Sequence, residues 1–562
     1  MNLIKTIFFF FNFTNKVKTF LFFLSNFLLS FLEFIGLALL IPILTLIFQV
    51  DQSITNSVLK NFSLVVNKNF SLNFVMFTLF FIYLFRFFFL IYLSNWQIKF
   101  MNEILIKISK NLLNTYMKSA QECFKKNNSG EFLRNTTQES SKVIKALSAS
   151  VDLMFDFTLL LTSIIFLLFV NSKTTIIALT LIFAFVIIYF FIIKKYLISI
   201  AKKDISFSAD ALKFLVECFK GYTEIFINNK QDFFIGKYLD KTSSILKLKR
   251  FIAVFKILPR NLLELGAATV LLFFLSNISN EGKNLNSIFF NIIILGSIFL
   301  RLYPSVGKSI TNLQTVIYYK PSLDLIKNEL NVKVNNYNFQ KKNIYPENFI
   351  VEKVEFKNLT FFYHENNKIL QNFNKTIYKN SIVGVVGKTG VGKTTLMHLL
   401  SGIINPSEGE IIINNNMTLK NLENWSDKIA YVSQKPFIID STIRDNVQLG
   451  EEKQNYNHKR LSEAYSESEL DEFINKLDNK DLSTVGDAGN LISGGQIQRI
   501  GIARALYKKA DIFLLDEITS NLDSHTADSI LKNLIKLKNN KIIFLISHDK
   551  KILDYCDEII NL

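Results

Sequence analysis

The chain has 562 residues, 49% of them hydrophobic and 20% charged, with a net charge of +17; it is too long for one core and too apolar for an ordinary soluble enzyme. The positive balance points to nucleic acid or a membrane surface, and the apolar residues gathered in the first half favour the membrane and exclude nucleic acid. Three scattered cysteines, Cys123, Cys218 and Cys556, have neither metal nor redox spacing and exclude a disulfide framework.

The N-terminal Phe-rich run is broken by Asn and Lys and has no small-residue cleavage site, which predicts an amphipathic helix at the cytoplasmic interface rather than a signal peptide. A membrane span needs roughly twenty apolar residues. Six stretches qualify: Lys18–Val50, Phe70–Trp96, Val151–Asn171, Thr174–Ile193, Ile252–Ser276 and Ile288–Gln314. The connections after the second and fourth are long and rich in basic residues, among them Lys99, Lys107, Lys110, Lys118, Lys125, Lys126 and Arg134; the first short loop carries only Lys60 and Lys68. Lys and Arg accumulate on the cytoplasmic side, so the N-terminus, both long connections and the C-terminal half are predicted to be cytoplasmic. The predicted organisation is a transmembrane domain over residues 1–325, a linker over 326–349 and an ATP-binding domain over 350–562.

In the C-terminal half, the apolar run Ser381–Val386 reads as a buried strand and Thr395–Leu400 opens a helix. Between them Gly387, Lys388, Thr389, Gly390, Val391, Gly392, Lys393 and Thr394 fit the phosphate-binding loop G-x-x-x-x-G-K-[ST]. Its glycines let successive N–H groups and the helix N-terminus, with Thr395, face phosphate. Lys393 is placed to reach the β- and γ-phosphates of ATP and Thr394 to hold Mg²⁺. Ile512–Glu517 is an apolar strand ending in two carboxylates: Asp516 suits the Mg²⁺ shell and Glu517 the polarisation of an attacking water.

Just ahead of that strand, Ile492-Ser493-Gly494-Gly495-Gln496, followed by Gln498-Arg499-Ile500-Gly501-Ile502-Ala503-Arg504-Ala505-Leu506, resembles the LSGGQ signature of ABC transporter ATPases. That resemblance assigns further roles. Tyr363 is expected to stack on adenine, Gln434 to contact Mg²⁺ and the water, Val485–Gly489 to touch coupling helices, Ser520–Asp523 to make a dimer contact, and His548 to act as the switch histidine. Two departures stand out: Ile492 replaces the usual Leu, a volume-conserving change, and the chain stops at Leu562, soon after His548. The fold implied is a polytopic helical membrane domain of six helices, type I exporter-like, joined to an α/β phosphate-loop domain. One ATP-binding domain per chain implies a homodimer in which Ser493, Gly494, Gly495 and Gln496 of one copy complete the site of the other. Short coupling helices are expected within Phe124–Thr136 and Phe219–Asp232.

Glu33, Arg86, Arg260, Glu264 and Arg301 fall in or at the ends of predicted spans. Each costs roughly 2.5–3.5 kcal/mol at mid-bilayer, so such residues face a cavity or a partner. Either they pair with one another, or the arginines bind phosphate bidentately. Ser30–Glu33, Leu258–Arg260 with Glu264, and Arg301–Ser305 are similar to bacterial flippases of lipid-linked oligosaccharides. That similarity implies a bacterial cytoplasmic (inner) membrane protein moving a polyprenyl-diphosphate-linked glycan, with Arg86, Arg260 and Arg301 on the pyrophosphate and a short helix near Ile54–Asn67. A general lipid or multidrug exporter is the alternative.

Overall fold

The computed structural model describes residues 2–38, 72–118, 129–170, 172–278, 304–336 and 349–562, apart from 365–366, 415–416, 423 and 452–456. The chain divides into two compact units, one within Met1–Tyr337 and the other within Asn338–Leu562.

The first unit is helical: α1 Asn2–Phe11, α2 Lys16–Ala38, α3 Leu72–Lys118, α4 Ser129–Arg134, α5 Ser140–Val170, α6 Ser172–Lys220, α7 Tyr222–Ile227, α8 Gln231–Ile278 and α9 Lys320–Asn336. Residues 304–318 are also helical. Five of the six predicted spans begin on or overlap α2, α3, α5, α6 and α8; the sixth, and with it Arg301, lies largely outside the described residues, as does Ile54–Asn67. Among the described residues one helix, Met76–Met117, is long and apolar enough to cross a membrane alone, and Leu3–Phe11 with Lys16–Leu32 qualify together, bent by 116°. The helices α3, α6 and α8 have 47, 49 and 48 residues. At 1.5 Å per residue each is about 70 Å long, more than twice a hydrocarbon layer of about 30 Å. Among the described residues, much of each long basic connection therefore continues the helices α3, α6 and α8 rather than looping. On α3, exposed Phe, Leu, Ile and Met side chains run from Phe74 to Tyr92, covering about 27 Å. Beyond them the same helix turns inward with Phe100, Ile104, Ile108 and Leu112, all buried.

These residues form a core with Phe10 and Phe11 of α1, Phe22 of α2, Val143 and Leu147 of α5 and Leu323 and Ile326 of α9. Phe22 stacks on Phe100 at 4.8 Å. The N-terminal helix is thus packed into a helical core, with Phe10 fully buried. Beside it Lys142 bridges Glu139, at 2.9 Å, and Asp204, at 3.0 Å; both carboxylates are buried. Glu139 closes a π-helical stretch, Asn135–Glu139, between α4 and α5. Pro259 lies inside α8 and has no N–H to offer Phe255 one turn back. The Phe255 carbonyl instead accepts from the Tyr189 hydroxyl, at 2.8 Å, and from Gln314 Nε2, at 3.0 Å. The proline therefore ties α8 to α6 and to the helix 304–318. Of the two stretches expected to hold short helices, Phe219–Asp232 contains α7, which leaves Tyr222, Phe226 and Ile227 exposed, whereas the described part of Phe124–Thr136, α4, runs unbroken through the π-helical stretch into α5.

The second unit has two sheets. Strands β1 Lys353–His364, β2 Asn367–Tyr378, β4 Glu408–Ile413 and β5 Met417–Thr418 form an antiparallel sheet of order β2-β1-β4-β5. Strands β3 Ser381–Val386, β6 Ile429–Val432, β7 Ile512–Asp516, β8 Ile542–Ile546 and β9 Glu558–Asn561 form a parallel sheet of order β6-β7-β8-β3-β9. β7 and β8 are buried throughout and β3 except at its ends, which is why they read as continuous apolar runs. The crossovers bring the residues after β3, β6, β7 and β8 to one edge, the carboxyl ends of the strands, where ligands of open α/β sheets bind.

Candidate nucleotide site

At that edge β3 runs into the predicted phosphate loop, and the helix Lys393–Leu400 follows with Gly392 as its N-cap. Gly392 holds a left-handed φ of +115°, and a Cβ there would lie 2.5 Å from Ile369 Cγ2; only glycine fits. Lys393 Nζ donates to the Gly387 carbonyl at 2.8 Å and lies 3.1 Å from His548 Nε2. Tyr363, on β1, sets its hydroxyl 3.3 Å from Thr395 Oγ1. The predicted adenine platform is thereby held against the phosphate-loop helix, with its ring edge-on to Phe361.

Strand β7, separated from β3 by β8, supplies the acids. Thr394 Oγ1 donates to Asp516 Oδ2 at 3.0 Å. Burial pushes the Asp516 carboxyl up from its ordinary value; the Glu517 charge adds to this, while hydrogen bonds from Thr394 and Tyr431 oppose it. Tyr431, on β6, is itself pushed well up by burial and by the Asp516 charge; sequence reasoning missed it, since an aromatic in a strand reads as core. Along a strand, successive side chains alternate faces, so two adjacent acids would point apart. Glu517 instead adopts a left-handed φ of +51°, with its N–H donating to the Ile546 carbonyl at 3.1 Å. Left-handed backbone at a non-glycine residue costs about 1–3 kcal/mol and marks functional positions. The turn brings Glu517 to the site: Gln434 Nε2 donates to Glu517 Oε2 at 2.6 Å, and His548 Nε2 lies 3.5 Å from Glu517 Oε1. Lys393, Thr394, Gln434, Asp516, Glu517 and His548 thus form one cluster.

The donors fit a hard divalent cation. Mg²⁺ is held through one or two carboxylates plus phosphate and water oxygens, and the Thr394 hydroxyl and Asp516 carboxylate offer oxygens 3.0 Å apart.

Ser493, Gly494, Gly495 and Gln496 belong to a separate helical layer with its own core, which includes Ile438, Ile443, Tyr465, Val485, Ile500 and Ala503. Ser493 caps the helix Gly494–Tyr507: its hydroxyl accepts from Gln496 N, and Gln496 Oε1 accepts from Ser493 N at 2.8 Å. This capping box satisfies two of the terminal donors and leaves the remaining N–H groups for an anion. Gly495 abuts the turn after β7; a Cβ there would stand 3.0 Å from the Asn521 carbonyl.

In the helical unit, Arg86 lies under the Tyr83 ring, 5.8 Å from its centroid. Arg260 sits one residue beyond Pro259, with its Cβ 3.8 Å from where a Cβ on Gly307 would be. The Glu33 side chain and Arg301 lie outside what is described.

Residues 370–520 match the ABC transporter family. A probable ABC transporter ATP-binding/permease protein of Haemophilus influenzae is 36% identical over 214 residues, 38% of each chain. The ATP-dependent lipid A-core flippase of Escherichia coli K12 is 35% identical over 212 residues, 37% of this chain and 36% of that protein. These similarities span well under half of the relatives' length. A solved bacterial Atm1-family ABC exporter with ATP bound has the same fold over 96% of this chain and 93% of its own, with a TM-score of 0.74 at 17% identity. The chain therefore has the fold of an ABC exporter, a helical region joined to an α/β domain, and its residues 370–520 match the ABC transporter family.

Proposed function

We propose that this protein hydrolyses ATP to drive export or flipping across a bacterial inner membrane. The observation that carries the reading is the Glu517 cluster at the carboxyl edge of the parallel sheet. Glu517, held by the Gln434 amide, takes a proton from the attacking water. Lys393, which donates to the Gly387 carbonyl, transfers that donation to the γ-phosphate when ATP enters. His548 lies against both Lys393 and Glu517 and orients the terminal phosphate. Bound Mg²⁺ would neutralise charge on the β- and γ-phosphates, with Thr394, Asp516 and Gln434 as the side chains that hold it.

Two copies form the working unit, with Ser493–Gln496 of one facing the phosphate loop of the other, as the free helix N-terminus favours. Residues 1–325 form the membrane domain, 326–349 the linker and 350–562 the ATPase. Helices about twice the length of a hydrocarbon core carry α4 and α7 beyond the bilayer, where Phe226 and Ile227 of α7 are exposed.

The substrate we propose is an anionic lipid-linked molecule, a polyprenyl-diphosphate-linked oligosaccharide, met by Arg86, Arg260 and Arg301. The similarity to a lipid A-core flippase supports a lipid-linked cargo. A general lipid or multidrug exporter is the second reading, favoured by the long apolar face of α3. Flipping of a fluorescent polyprenyl-diphosphate oligosaccharide in proteoliposomes separates them. ATP-dependent flipping establishes the first; its failure with active ATPase leaves the second.

A further inference from the structure

We infer that a row of lysines along the amino edge of the parallel sheet is a docking site for an extended acidic segment of a partner protein. The Glu517 cluster stands at the opposite, carboxyl edge, one strand length of about 20 Å away, so the row and the nucleotide site are separate.

The lysines stand where the strands enter the sheet. Lys428 immediately precedes β6 and Lys541 immediately precedes β8, while Lys379 lies two residues before β3 and Lys509 three before β7. Backbone hydrogen bonds fix their register. Asp511 N donates to the Lys428 carbonyl at 3.0 Å, Ile542 N to the Asp511 carbonyl at 3.0 Å, and Asn380 N to the Lys541 carbonyl at 2.8 Å. In the strand order β6-β7-β8-β3 the row therefore runs Lys428, Asp511, Lys541, Lys379, three strand spacings or about 14 Å. Lys509, exposed, flanks it beside Asp511.

The middle of the row already binds a carboxylate. Lys428 Nζ lies 3.3 Å from Asp511 Oδ2 and Lys541 Nζ 3.8 Å from Asp511 Oδ1, with both lysine side chains largely covered. They also donate to the Phe349 and Ala510 carbonyls. Burial holds the Lys541 ammonium below its ordinary value; Asp511 opposes this, and the charges of Lys428, Lys379 and Lys509 add to it. Four cations thus gather around one carboxylate, an excess of three positive charges. Of the acids flanking the row, Asp557 pairs with Lys538 and Asp427 faces Lys508. Like charges held together in a partly desolvated setting favour an incoming anion.

Geometry selects the class of anion. Same-face side chains of an extended chain recur about every 7 Å, so three alternate Glu or Asp residues cover the row from end to end. A single phosphate group covers about one strand spacing and leaves the others unmet. Three of the four lysines are partly buried, and such a recessed line admits a narrow strand rather than the plane of a membrane.

The test is fluorescence anisotropy of a labelled hexaglutamate peptide with the full-length detergent-solubilised protein at low ionic strength, with hexaglutamine as the uncharged control. Two charge-reversed proteins are compared. One carries Lys379→Glu with Lys509→Glu, which leaves Lys428, Lys541 and Asp511 in place. The other carries Lys459→Glu with Lys476→Glu, exposed lysines of the helical layer around Tyr465, and has the same net charge. The row predicts hexaglutamate binding that weakens steeply with salt, at least about tenfold in the first protein and within about twofold in the second, with basal ATP turnover unchanged in both. Equal losses in the two proteins would assign the binding to net charge and overturn the row, as would no binding by the wild type. Displacement of the peptide by inorganic pyrophosphate at equal potency per charge would make the row a small-anion site and overturn the peptide assignment. If the first protein does not accumulate folded, Lys379→Gln with Lys509→Gln replaces it, with a loss of about threefold expected and an unchanged affinity overturning the row.

Discussion

Asp516 and Glu517 are neighbours with opposite environments: one carboxyl is buried between Thr394 and Tyr431, and the other is turned out by a left-handed backbone toward Gln434 and His548. Because burial raises the Asp516 pKa in the folded state, the native protein holds that proton more tightly than the unfolded chain. Its contribution to stability is complete below the ordinary carboxyl value, about 3.9, and is lost as pH rises through the raised one. Asp516→Asn is therefore expected to raise the nucleotide-free Tm at neutral pH, with the gain fading as pH falls toward 4; a gain that grows at low pH would contradict the assignment. At Gly392, alanine meets both a left-handed φ and Ile369. We expect Gly392→Ala to cost about 1–3 kcal/mol of stability and to abolish binding of a fluorescent ATP analogue.

At the scale of elements, the strand–loop–helix Ser381–Leu400 was legible because every cue is local: an apolar run, glycines at fixed spacing, then a helix former. The same holds for the Ile512–Asp516 strand and its two acids. Local pattern did not report the partners, because Gln434–Glu517 and Lys393–His548 are separated by 83 and 155 residues; Gln434 and His548 were named only through the family resemblance. Likewise the hydropathy of α3 and α6 falls after Trp96 and Ile193, which reads as a loop, whereas the helices continue and bury a second stripe such as Ile104–Leu112. The Glu139–Lys142–Asp204 cluster escaped for the same reason: three charges divided between the two basic connections look solvated until the helices α5 and α6 pack. Removing one member of a buried ion cluster costs about 3–5 kcal/mol, so Lys142→Met should lower the Tm of the detergent-solubilised protein markedly. Adding Glu139→Gln should restore part of it.

At the scale of the whole molecule, a helical unit whose α3 carries an apolar outer band is joined in one chain to a unit that carries the Glu517 cluster. If the arginines meet the cargo, Arg260→Ala should reduce flipping at least about fivefold more than it reduces basal ATP turnover, since uniform and reaction-specific losses separate in such ratios. Equal loss of both would make Arg260 part of the packing around Gly307. The most direct measurement is ATP turnover by reconstituted Glu517→Gln, with ATP binding determined on the same sample. The account predicts that turnover falls at least about a hundredfold, the size of a lost general base, while binding persists. Turnover at the wild-type rate would contradict it.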